Sequence, residues 1–371
     1  MNGNQNYMDD IRIIIAGGGT GGHLYPAIAI GEALQARNPR VNIHYVGSTF
    51  GIEYEVLPVK SLPHTLIPIR GIQRGFSPNA LGKNLILPYR YLISSAKTKI
   101  LFQEFNPHVV VGTGGYASAL PVKIALKQNI PILLQEQNSY PGITTRLFSE
   151  KAKVVCIAFD EVKDHLKGNC INTGNPTRKE LCNGYHSNMA ESFQLDPEKK
   201  TIFLFGGSQG STPLNIIMDK SIQSFQQEKI QVLWQTGYNH FSQFQHHDSD
   251  SVRVVPYINQ MAAAYASSNL IISRAGALTL SEISLCGKPS ILIPFPAAAG
   301  NHQMKNAQAF AHADAAHIIE EKNLTSFHFV ESVLSLLRNK NKLDQMAQQT
   351  KSLSKPEATT AIVDQILQLI Q

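Results

Sequence analysis

An apolar run, a glycine cluster and a helix pattern follow one another three times in this chain, and no other feature restricts its fold as much. "IRIIIAGGGTGGHLYP" (11–26), "VVVGTGGYAS" (109–118) and "IFLFGGSQGS" (202–211) share this form. A strand that is apolar at nearly every position has no face to give to water, so its sheet is parallel and covered on both sides. In the first cluster Gly17, Gly18, Gly19, Gly21 and Gly22 surround Thr20, and His23 follows. So much glycine costs backbone entropy on folding. In return, a glycine turn leading into a helix exposes N–H groups and the positive end of the helix dipole. Such turns lie at the carboxyl ends of strands, where open α/β sheets bind ligands. Packing of strand against helix explains one glycine loop. Three of them point to anionic or oxygen-rich ligands.

Further β-rich runs extend the plan along the chain. "VNIHYV", "HTLIPI", "IPILLQ" and "AKVVCI" join the first half, and "IQVLWQ", "SVRVV", "NLIIS" and "PSILIPF" join the second. Helical stretches such as "YPAIAIGEALQAR" fall between them. At 371 residues the chain exceeds one comfortable core, so two doubly wound domains are expected. The Gly/Pro turn "TGNPTRKE" (173–180) is the expected join. The domains are expected at 11–176 and 177–350, with a C-terminal helix over 356–370 that completes the first. That helix places Ile362, Ile366 and Leu369 on one face.

Composition removes several function classes. Hydrophobic residues make up 43% and charged residues 16%, a globular balance. No apolar run approaches the ~18 residues that span a bilayer. The opening "MNGNQNYMDD" reads as a flexible lead-in without a signal-peptide core. Cys156, Cys170, Cys182 and Cys286 form no CxxC pair and read as reduced thiols. The net charge of +6 suits an anionic partner, but no basic–aromatic interleaving marks a nucleic-acid binder.

Three motif readings compete at the glycine loops. Gly17, Gly19 and Gly22 satisfy G-x-G-x-x-G, yet the second strand ends "HYVGS" without the acid that a dinucleotide ribose needs. Gly206, Ser208 and Gly210 satisfy the G-x-S-x-G nucleophile elbow, with His302 or His312 as candidate partners. That reading leaves the other two loops without a role. "HHDSD" (246–250) has metal-ligating residue types but reads as a solvated loop before a strand, so no metal is expected there.

Taken in order, "GGGTGGH", "GTGGYAS", "QEQN", "TGNPTR", "GGSQGS", "SRAGALTLSE" and "NHQMKNA" resemble the MurG family of bacterial glycosyltransferases over about residues 11 to 370. The resemblance implies the GT-B fold, two Rossmann-like domains facing across a cleft. It implies an inverting N-acetylglucosaminyltransferase, acting without metal or cofactor, that uses UDP-GlcNAc and the undecaprenyl-pyrophosphoryl-MurNAc-pentapeptide, lipid I, and produces lipid II for peptidoglycan. A UDP-GlcNAc 2-epimerase of the same architecture and a non-catalytic nucleotide-sugar sensor are the alternatives.

The same resemblance distributes roles among the residues. Ala277, Leu278, Thr279, Leu280 and Ser281 open a helix whose amides would hold the UDP diphosphate, and Glu282 would accept the ribose hydroxyls. Ser208 becomes a nucleotide contact, Arg178 and the backbone of Ile258 border the uracil, Gln303 and Asn306 address the sugar, and Asn138 is a cleft contact on the donor side. Gly18, Gly19, Gly114, Gly115 and Tyr116 would take the lipid acceptor, with its diphosphate on the opening loop. Thr20, Gly21 and Gly22 lie where donor and acceptor meet. His23 is the candidate general base and Glu136 its rival. Where many members have histidine before "EQN" this chain has Gln135, and it has Gly300 and Asn301 where many carry an acid. The partners implied are UDP-GlcNAc, lipid I, the cytoplasmic face of the plasma membrane, where the protein would sit peripherally, and other cell-wall synthesis proteins. The stretch 69–100 would dock the membrane through Ile72, Phe76, Leu81, Leu85 and Ile86 among basic residues, with Lys83, Arg90 and Lys97 as one helical stripe.

Overall fold

A computed structural model describes residues 10–71, 85–177, 179–181 and 192–370. The chain forms two compact units. One comprises Met1–Gln137, Pro141–Pro176 and Glu357–Gln371, the other Asn138–Tyr140 and Thr177–Pro356. The N-terminal lead-in, Arg178, Cys182 and residues 72–84 of the docking stretch lie outside the described residues.

The first unit holds seven strands: β1 (Ile11–Gly17), β2 (Val41–Ser48), β3 (His64–Ile67), β4 (Val109–Gly114), β5 (Ile132–Glu136), β6 (Val154–Ile157) and β7 (Cys170–Asn172). Their order is β3-β2-β1-β4-β5-β6-β7, with every pairing parallel. Alternation within β1 shows why both faces are apolar. Ile13 and Ile15 enter one core with Leu24, Ile28 and Ile30, whereas Ile14 and Ala16 enter the opposite core with Leu120, Val122 and Phe102. The C-terminal helix Ala358–Gln368 buries Ile362, Val363 and Ile366 in the first of these cores. Three side chains buried this fully contribute roughly 1.5–3 kcal/mol each.

The second unit repeats the arrangement with β8 (Thr201–Phe205), β9 (Gln231–Gln235), β10 (Val252–Val255), β11 (Leu270–Ser273), β12 (Ser290–Leu292) and β13 (Ala316–Ile318). These run β10-β9-β8-β11-β12-β13, again parallel throughout. Ile202 and Leu204 face one core with Trp234 and Phe329, and Phe203 and Phe205 face the other with Tyr265 and Ile283. In each sheet the strand order reverses at the central pair, β1/β4 and β8/β11. All three glycine loops and the "SRAGAL" turn leave from these four strands. This reversal is the place where a doubly wound sheet opens a crevice at its carboxyl edge.

β7 and β13 were not among the expected strands. Each is a three-residue edge strand, too short to show a period. Pro88 stands in the first turn of helix Leu87–Phe105, where its missing N–H costs nothing.

Candidate active site

In the first unit the opening loop is built around the protein's own carboxylate. Glu53, fully buried at the start of helix Glu53–Val59, accepts the Gly19 N–H at 2.9 Å and the Ser48 N–H at 2.7 Å. A Cβ on Gly18 would stand 2.2 Å from a Glu53 oxygen, and one on Gly17 would strike Thr113. These glycines therefore make room for internal side chains. The loop expected to meet the acceptor diphosphate thus directs its Gly19 N–H to Glu53. Further on, a Cβ at Gly22 meets nothing nearer than the Thr20 hydroxyl at 3.6 Å. Thr20 caps helix Gly21–Arg37 without a side-chain hydrogen bond, and its carbonyl receives the N–H groups of His23 and Leu24.

His23 stands in the first turn of this helix, half-buried. Its Nδ1 lies 3.0 Å from the Thr113 carbonyl and 3.0 Å from Gln137 Oε1. Both neighbours are acceptors, so Nδ1 carries the hydrogen and the lone pair of the neutral ring sits on Nε2. Buried amides extend the arrangement. Gln137 Nε2 donates to the Thr113 carbonyl at 2.8 Å and to Gln135 Oε1, Gln135 Nε2 donates to Asn175 Oδ1 at 2.9 Å, and Asn175 Nδ2 donates to the Gln137 carbonyl at 3.1 Å. Gln135 thus takes a place among these buried amides. Gly114 ends β4 and Gly115 follows it, with φ +96° and +75°. A Cβ at Gly115 would stand 2.0 Å from the Gly18 carbonyl, and one at Gly114 2.8 Å from the His23 ring. Tyr116, exposed, opens the next helix and lies against the Gly71 backbone.

Glu136 is not placed like His23. It is buried, and its Oε2 accepts the Gly142 N–H at 2.9 Å and the Thr145 hydroxyl at 2.7 Å. It ties the turn after β5 to helix Ile143–Phe148.

In the second unit, helix Ala277–Cys286 begins after Gly276 with no side chain capping its N-terminus. The first-turn amides of Ala277, Leu278 and Thr279 stand at the positive end of the dipole. The Leu280 side chain is fully buried, and its N–H donates to the Gly276 carbonyl. The Ser281 hydroxyl donates back to the Ala277 carbonyl at 3.0 Å. Glu282, on the same helix, accepts the hydroxyl of fully buried Tyr265 at 3.0 Å, which fixes the carboxylate's position.

Two residues organise this site that motif reading passed over. Gln235, at the end of β9, donates to the Gly207 carbonyl at 3.1 Å and accepts the Ile258 N–H at 2.8 Å. Arg274, buried beside the β11 turn, donates to Ser211 Oγ at 2.9 Å and to the carbonyls of Ile293 and Pro294, and it pairs with Glu321. One guanidinium so braces the glycine loop, the helix start and the strand β12 exit. Its signal was present in "SRAGAL", but sequence alone does not tell a brace from a ligand.

Ser208 is exposed in its loop. The positive φ that strains a tight elbow falls on Gly207 and Gly210 (+94° and +75°), not on the serine. The hydrolase reading loses its geometry. Asn306 is fully buried; it accepts the Ser139 N–H and hydroxyl at 2.9 and 2.8 Å and donates to the Ala275 carbonyl at 3.2 Å and to Asn138 Oδ1 at 3.4 Å. These bonds anchor Asn138–Tyr140 within the second unit. Gln303 accepts the Phe295 N–H at 2.9 Å.

Each unit is a parallel α/β sheet whose central strands end in glycine turns, one bearing an oriented histidine and the other an uncapped helix with a fixed carboxylate. Two such units in one chain, matched by the two domain models of one glycosyltransferase family, make this a two-domain glycosyltransferase of the GT-B class. Residues 13–157 match the glycosyltransferase family 28 N-terminal domain, and 201–362 match its C-terminal domain. The chain is 40% identical over 365 residues to the UDP-N-acetylglucosamine–N-acetylmuramyl-(pentapeptide) pyrophosphoryl-undecaprenol N-acetylglucosamine transferase of Christiangramia forsetii, covering 98% of both chains. It is 38% identical to the enzyme of the same name from Flavobacterium psychrophilum, covering 98% of this chain and 99% of that one. The crystal structure of Acinetobacter baumannii MurG superposes with a TM-score of 0.75 at 26% identity, covering 96% and 99% of the two chains. The chain belongs to the MurG family of N-acetylglucosamine transferases.

Proposed function

We propose that His23 is the general base of an inverting transfer of N-acetylglucosamine from UDP-GlcNAc to the MurNAc 4-hydroxyl of lipid I. The products are UDP and lipid II, the peptidoglycan precursor. The observation that carries this assignment is the commitment of Nδ1 to two acceptors, which leaves Nε2 as the basic nitrogen. Nε2 takes the hydroxyl proton, the oxygen bonds to the anomeric carbon, and the bond from that carbon to the diphosphate oxygen breaks with its electrons leaving on UDP. Attack from the opposite face inverts the centre, and no covalent enzyme intermediate forms. Amides at the start of helix Ala277–Cys286 meet the growing charge on the diphosphate. Glu282 holds the ribose, oriented by Tyr265. Glu136 positions a turn and takes no proton.

Transfer of radiolabel from UDP-GlcNAc to a short-chain lipid I analogue tests the assignment. His23→Ala is expected to lower kcat by roughly 10²–10⁴ while UDP binding by calorimetry stays within about twofold. A variant with near-full kcat removes His23 from the chemistry. UDP-GlcNAc alone should give no UDP-ManNAc, which an epimerase would form.

The acceptor's polyprenyl tail requires a membrane surface, and among the described residues no helix is long and apolar enough to cross one. We assign docking to the start of helix Leu87–Phe105, where Leu85, Tyr89 and Leu92 form an exposed apolar stripe and Lys97 and Lys99 are exposed nearby. Arg90 departs from the expected basic stripe: its guanidinium covers the Phe50 ring at 4.6 Å. The docking surface is placed on the cytoplasmic leaflet, where UDP-GlcNAc is available.

A further inference from the structure

The run "HHDSD" is absorbed by nothing in the transfer site, and the fold changes its meaning. Its Asp248 is engaged away from the histidines. Asp248 accepts the Val254 N–H at 2.9 Å and pairs with Arg253 at 3.0 Å, which shapes the turn into β10. In its place the fold brings Asp219, the last residue of helix Thr212–Asp219, to the two histidines. His247 Nε2 lies 2.6 Å from Asp219 Oδ1, and the rings of His246 and His247 are 4.0 Å apart. One ligand atom from each of the three residues falls within 4.8 Å of the others.

We propose that Asp219, His246 and His247 form a binding site for a first-row divalent cation of the zinc class, separate from the transfer site. Two imidazoles and one carboxylate are borderline ligands, suited to Zn²⁺, Ni²⁺ and Cu²⁺ rather than to Mg²⁺ or Ca²⁺. A cation bonded at about 2.0–2.2 Å to nitrogen and oxygen needs its ligand atoms roughly 3–3.5 Å apart, which small rotations of partly exposed side chains supply. The backbone adds to the attraction, because Asp219 closes a helix and the carbonyls of a last turn favour positive charge. Three protein ligands leave the remaining coordination positions to water. The cation would clip the end of helix Thr212–Asp219 to the turn Gln245–His247. That helix starts directly after the glycine loop 206–211, so the clip steadies the element that carries the loop.

The protein carries its own reporter. Trp234 is the single tryptophan in the chain, and its ring centroid is 6.0 Å from that of His247. The test is a titration of the untagged full-length protein with CuCl₂ or NiCl₂, following tryptophan emission. Saturable quenching is expected, with Zn²⁺ restoring the emission by competition and Mg²⁺ having no effect. His246→Gln, at an exposed position that does not threaten the core, and Asp219→Asn should each raise the midpoint at least tenfold. Transfer activity should be unchanged in both variants and after EDTA treatment. Quenching that does not saturate, that Zn²⁺ leaves unchanged, or that keeps its midpoint in both variants overturns the site.

Discussion

At the scale of single residues, the candidate site depends on side chains that hold others in place. Tyr265 is buried in the aromatic cluster with Phe203 and Phe205, and only its hydroxyl emerges to hold Glu282. Glu282→Ala is expected to weaken UDP binding by about 1.5–3 kcal/mol, the scale of hydrogen bonds to a charged group. Tyr265→Phe should weaken it less, because the carboxylate remains and only its aim is lost. Calorimetry separates the two, and equal losses would show that Tyr265 does more than orient. The glycines divide in the same way. A Cβ on Gly115 would stand 2.0 Å from the Gly18 carbonyl, so Gly115→Ala should displace backbone and lower the melting temperature sharply. Gly19 has φ +93°, and an added methyl group there would meet no protein atom within 4 Å. Gly19→Ala should therefore cost only the ~1–2 kcal/mol of a left-handed alanine, measured by urea unfolding.

At the scale of elements, the pairing of β2 with β3 carries a pH dependence. His44 Nε2 lies 2.8 Å from the Thr65 hydroxyl, and its ring packs on Phe105 at 5.5 Å. Burial, with a smaller contribution from nearby His64, lowers the His44 pKa from 6.5 to about 4. Below 6.5 the unfolded chain takes up a proton that the folded chain refuses, so stability falls as pH drops from about 6.5 to about 4. Stability above that window is unaffected by this group. Urea midpoints measured across pH should show this loss, and His44→Asn should flatten it. An unchanged slope in the variant would place the effect on other groups.

At the scale of the whole molecule, each unit has its own two-sided core, and the last helix belongs with the first unit although its sequence neighbours belong to the second. The proposed membrane association is tested at this scale. Leu85→Asp with Leu92→Asp should reduce co-sedimentation with anionic liposomes while transfer to a water-soluble acceptor stays intact. Unaltered vesicle binding would move the docking surface elsewhere.

Much of this was open to reading in one dimension, because strands buried on both faces write themselves as continuous apolar runs, and a strand-to-helix turn writes itself as glycine. The two doubly wound sheets and the glycine turns follow from local rules of that kind, whereas the helix opening at Ala277 came from the family resemblance. The edge strands Cys170–Asn172 and Ala316–Ile318 do not, since three residues owe their extension to the neighbour they pair with. Partnership was decided only in three dimensions. Glu53 takes the Gly19 amide, Gln137 and Thr113 orient His23, and Asn306 closes on Ser139 across 167 positions of chain. Hydrogen bonds reach about 3 Å, and no local pattern records which distant residue will arrive at that distance. Residue type and spacing determined what each segment could become, and packing of the two cores decided which polar groups remain for a ligand and which are spent on the protein itself.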